Sequence, residues 1–96
     1  MNTAFKPFPL GRIVGTPDAL AAVKPERILE CLARHARGDW GDVCAEDAVE
    51  NNLSSSEGFR ILSVYPIDES DPNPEKFWII TEGDRSSTCV LLPSNY

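Results

Sequence analysis

Ninety-six residues, 42% hydrophobic and 25% charged, make one globular domain with a single core and exclude a disordered chain. The net charge of −6 is uneven: residues 1–38 carry six basic and three acidic side chains, residues 39–96 three basic and twelve acidic. Such an acidic face disfavours direct nucleic-acid binding, which needs a Lys/Arg patch, and suits a basic protein surface.

The start, MNTAFKPFPLGR, has no continuous apolar stretch and no small-residue cleavage site, and no apolar run approaches the about 20 residues of a membrane span. Cys31, Cys44 and Cys89 are an odd set without close pairs, so they do not read as a disulfide framework. A cytoplasmic protein without a membrane partner is expected, as a single domain over 1–96.

Pro7 and Pro9 keep residues 1–9 an irregular arm. LGRIVGT, 10–16, reads as a strand that pairs at a sheet edge. Thr16-Pro17-Asp18 opens a short helix, PDALAAV, and Lys24-Pro25 ends it and opens a second, PERILECLARHA, at 25–36. Ile28, Leu29, Leu32 and His35 or Ala36 form its apolar stripe, and Gly38 stops it. Asp42 is a candidate cap for a third helix running to about Ser55, with Ala45, Ala48 or Val49, and Leu53 as a weaker stripe. Three strands follow, FRILSVYPI at 59–67, KFWIITEG at 76–83 and STCVLLP at 87–93. Their apolar content places the first two centrally in the sheet. The polar loop 68–75 and the tight turn 82–87 make the set an antiparallel meander. The expected architecture is α+β, with N-terminal helices packed on a three- to four-stranded antiparallel sheet.

Candidate chemistry is sparse. Cys31 and His35 lie one helical turn apart, and with Cys44 and Cys89 they would complete three cysteines and a histidine, a set structural zinc favours. Zinc ligands usually come in close pairs, though, and the simpler reading makes Cys31 and Cys89 small core hydrophobes. A cysteine hydrolase would have only His35 as base, without a nucleophile motif. Asp39 and Asp42, with Glu46, Asp47 and Glu50, are the densest carboxylates, but they match no calcium loop. No phosphate-binding glycine loop occurs. No metal and no cofactor is therefore assigned.

GDWGD, 38–42, sets Trp40 between two acids. The indole has three readings: a lid on the core, an exposed anchor for a protein partner, or a stacking surface for a ring. Trp78, in mid-strand, reads as core. Arg85, amid Glu82 and Asp84, reads as a salt-bridged turn or the tip of a recognition surface.

Together LGRIVGTPDAL, HARGDWGD, GFRILSVY and KFWIITEGDRSSTCVLLPSNY resemble a family of small bacterial proteins carried on plasmids and integrated elements, usually described only as plasmid-related or hypothetical. The resemblance covers about residues 9–96, with GDWGD and WIITExDRSSTxxLLP as its motifs. It implies a bacterial, mobile-element setting and no catalytic residues. In that setting the expected function is a non-enzymatic, acidic protein-binding module. Such a module would inhibit a host defence system by presenting carboxylates where a CRISPR complex or restriction enzyme binds phosphates. Asp39, Trp40, Asp42, Glu82, Asp84 and Arg85 are its candidate partner-binding residues. Two other readings stand beside it: a small metal-binding or Cys/His-dependent enzyme domain using Cys31, His35 and Cys44, and an accessory subunit or homodimer joined at a sheet edge.

Overall fold

The computed structural model describes residues 5–96; the first four residues of the expected arm lie outside the described residues. In chain order the elements are β1 (Arg12–Gly15), α1 (Pro17–Ala22), α2 (Pro25–Ala36), α3 (Ala45–Glu57), β2 (Ile61–Pro66), β3 (Lys76–Thr81), β4 (Ser87–Leu91) and a short 3-10 turn, Pro93–Asn95. Thr16 caps α1, its Oγ1 accepting from Ala19 N at 3.2 Å, and Pro17 and Pro25 open α1 and α2.

The start of α3 departs from expectation. Its cap is Cys44, whose Sγ accepts from Asp47 N at 3.5 Å. Asp42 lies too early in the chain, because residues 40–42 are pinned to β2. Val64 N donates to Trp40 O at 3.1 Å, and Asp42 N donates to Val64 O at 2.7 Å. The Asp42 carboxylate pairs with Lys76 instead.

The fold is α+β, with helices on a four-stranded sheet of order β1-β4-β3-β2. The meander β2–β3–β4 is antiparallel, but β1 runs parallel to β4, so the sheet is mixed rather than purely antiparallel. A hairpin enforces antiparallel pairing; the link from β1 to β4 passes through all three helices and the other strands, and it imposes no such constraint. β1 takes an edge, as expected. β2 takes the other edge rather than a central place. That edge is closed: the Asn51 side chain donates to Leu62 O at 2.7 Å and accepts from Leu62 N at 3.3 Å. These are the two bonds a neighbouring strand would make, and residues 40–42 repeat the pattern at Val64.

One face of the sheet carries the core. Tyr65, Phe77, Ile79 and Val90 pack there against Ala19, Val23, Ile28, Cys31 and Leu32. The buried stripe of α2 is Ile28, Cys31, Leu32 and His35, and Leu29 is exposed. α3 is turned about differently from its expected stripe: it buries Asn51, Ser54 and Ser55, and leaves Val49 and Leu53 exposed. Its inward neighbours include backbone groups of a sheet edge, which demand polar partners.

Strand alternation sends the intervening side chains to the opposite face. There the register aligns Val14, Cys89, Ile80 and Leu62 in one row, and Leu91, Trp78 and Val64 in the next. This second face is apolar across the sheet and neither α1 nor α2 covers it: Ile80 and Leu91 are buried there, while Leu62, Val64, Trp78 and Cys89 stay part-exposed.

Candidate functional site

The six residues singled out from the sequence do not form one surface. Trp40 faces inward and is only 4% exposed, so its indole is not an exposed anchor. Its ring packs edge-on against His35 and Phe5 and stacks on Phe8, while Nε1 donates to Asn52 Oδ1 at 3.0 Å. Asp39 holds the end of α2: its carboxylate accepts from Arg34 Nε at 2.9 Å, and that bond keeps the carboxyl below its usual range. Its carbonyl accepts from the Tyr65 hydroxyl at 2.7 Å.

Arg85 is a latch. It sits at φ 62° in the β3–β4 turn and donates to Ser54 O at 2.6 Å and Phe59 O at 2.7 Å. It thereby ties that turn to the C-terminal end of α3, where a cation satisfies helix carbonyls. Its guanidinium also lies over Phe8. Asp84 accepts from Ser86 within the turn, which lowers its pKa, and Glu82 pairs with Arg60 at 3.6 Å. Only Asp42 of the six borders the groove described below.

Under the arm runs a buried polar chain. His35 Nδ1 lies 2.5 Å from Ser63 Oγ, and Nε2 lies 2.8 Å from Thr81 Oγ1. Thr81 Oγ1 is 2.7 Å from Thr88 Oγ1, which donates to Leu10 O at 2.7 Å. All four side chains are fully buried. The last acceptor is a carbonyl, so the protons follow as far as the ring: Thr88 donates to Leu10, Thr81 to Thr88, and His35 Nε2–H to Thr81. Burial keeps the ring neutral, so Nδ1 accepts from Ser63. Burial, with Arg85 nearby, pushes its pKa down to about 4.

Cys31, His35 and Cys44 do not come together. Both His35 nitrogens are engaged by hydroxyls, Cys31 is in the core and Cys44 is exposed at the start of α3. Burial raises the Cys31 thiol to about 11, which suppresses its thiolate. Among the described residues no group of three His, Cys, Asp or Glu side chains converges as metal ligands.

The apolar second face forms the floor of a groove of about 430 Å³. Leu62, Val64, Trp78 and Ile80 make the floor; Cys44, Asp47, Glu50, Asn51 and Ser54 make a wall from α3 and its cap; Arg60 and Tyr96 also line it. Two of its lining residues are ion-paired to residues outside it, Arg60 to Glu82 and Asp42 to Lys76. Arg60 also donates to the Tyr96 hydroxyl at 2.7 Å, and Tyr96 meets Trp78 edge-on. On the α3 wall, Asp47 and Glu50 are exposed and have no ion-pair partner among the described residues.

Fold and site together define an α+β domain whose sheet is apolar on both faces and helix-covered on one. No protein-family model matches the chain, and no curated protein or solved structure matches it. Among the described residues, no helix is long and apolar enough to cross a membrane.

Proposed function

We propose that the chain is a non-enzymatic protein-binding module, and that its groove takes a basic segment of another protein. The observation that carries this reading is an apolar, part-exposed floor of Leu62, Val64 and Trp78 beneath two carboxylates, Asp47 and Glu50, that have no cation partner among the described residues. Apolar burial supplies affinity, and the uncompensated charge selects a basic partner. The acidic docking surface thus moves from the 39–42 and 82–85 turns to the wall of α3, with Asp42 shared. The finer reading remains part of the proposal: a cytoplasmic bacterial protein of mobile-element origin that blocks a nucleic-acid-binding defence protein by offering carboxylates in place of phosphates.

The test is affinity capture from bacterial lysate at low and high salt, beside an Asp47→Lys/Glu50→Lys variant. Both substitutions are at exposed positions, and circular dichroism checks that the variant is folded. The expected result is a basic protein retained by the wild type at low salt and released by high salt and by the variant. Equal capture by the variant, or no capture under any condition, overturns the reading.

A further inference from the structure

The groove constrains the shape of what binds it. An extended peptide recognised by strand addition needs a row of free backbone N–H and C=O groups. The groove has none to give. β3 is hydrogen-bonded on both sides, and the outer edge of β2 is occupied at Leu62 by Asn51 and at Val64 by residues 40–42. The floor presents side chains only. A segment buried there must satisfy its own backbone, and a helix does so internally.

Length and charge point the same way. From Arg60 to Val64, where Asp42 is bonded, the groove follows four strand residues, or about 13 Å at roughly 3.3 Å per residue. That is about nine residues of helix at 1.5 Å each. Asp47 and Glu50 are three apart on α3, so they stand on one side of that helix, at the spacing where two cations one turn apart on a neighbouring helix would meet them.

From this geometry we infer that the groove binds an amphipathic α-helix of the partner, its apolar stripe on Leu62, Val64 and Trp78 and its Lys/Arg residues facing Asp47 and Glu50. The bound helix lies alongside α3 and covers the second face of the sheet, as α1 and α2 cover the first. The inference rests on the protein-binding reading above.

The test is selection of random 16-residue peptides displayed on phage against the immobilised wild-type chain, followed by titration of the winners as free peptides. The expected winners place apolar residues three and four apart, carry Lys or Arg beside that stripe, and gain helical circular dichroism on binding. Their affinity falls about tenfold on the Asp47→Lys/Glu50→Lys variant, the size expected for two exposed ion pairs turned repulsive. Winners with a two-residue apolar period, bound without helix and lost on the same variant, refute the helix and leave the protein-binding reading standing. Winners indifferent to the variant, or no winners, refute both.

Discussion

Lowering the pH from 7 towards 4 sets the buried histidine against the fold. His35 is neutral in its chain of hydroxyls, with a pKa near 4 against the ordinary 6.5 of an unfolded chain. Between these values the unfolded state binds the extra proton, so stability is fully present above about pH 6.5 and declines as the pH falls to 4. At 1.36 kcal/mol per pH unit the loss approaches roughly 3 kcal/mol, a large share of the ~5–15 kcal/mol that holds a domain together. Asp39, Asp68 and Asp84 act in a different window: hydrogen bonds hold them below 3.8, so their contribution is present above that value and is lost only below it. Urea unfolding at pH 7.5, 5.5 and 4.5 measures the effect, with His35→Gln as the control that cannot titrate. The wild type should lose most of this energy by pH 4.5, while His35→Gln, less stable at pH 7.5, should stay nearly flat. An NMR titration placing the ring pKa near 6.5, or equal slopes in the two proteins, would refute the neutral buried ring.

Thr81→Val keeps the side-chain shape and removes the acceptor of His35 Nε2–H, so it should cost about 1–3 kcal/mol in the same urea assay, the cost of one orphaned buried donor. Gly41 has φ +74°, and a Cβ there would strike the Val64 carbonyl; Gly41→Ala should therefore cost about 3 kcal/mol or more and lower the thermal midpoint by over 10 °C. Of the three thiols, exposed Cys44 should react with a thiol-specific dye within minutes at pH 8. Cys31, buried and with its pKa raised to about 11, should react only after unfolding.

The elements were legible in the sequence because their signals are local. Thr16-Pro17, Lys24-Pro25 and Gly38 mark helix ends wherever the chain goes, and α2 falls at the expected 25–36. What was not legible depends on distant neighbours. The parallel partner of β1 lies some seventy residues on, and nothing local in LGRIVGT chooses it. α3 buries Asn51 rather than Leu53 because the edge of β2 needs amide partners, a demand that belongs to another element. Charge identified an acidic protein, but the turn acids draw the eye, while Asp47 and Glu50 look like an ordinary solvated helix face. The floor did have a signal. ILSVY and KFWII run apolar residues together where a sheet with one wet face would alternate. That pattern predicts a central position in the sheet, which β3 holds; at the edge strand β2 its cause is a second apolar face.

The most direct test of the groove uses the thiol already at its wall. A benzophenone attached to Cys44 and irradiated in lysate should crosslink one basic protein, with the adduct mapping to a Lys/Arg-bearing segment. That product should disappear in the Asp47→Lys/Glu50→Lys variant and should not form from a probe on exposed α1 in a Leu20→Cys/Cys44→Ser protein. The same product from both positions, or a product that survives reversal of the two charges, would contradict the claim that this face of the sheet is where the protein meets its partner.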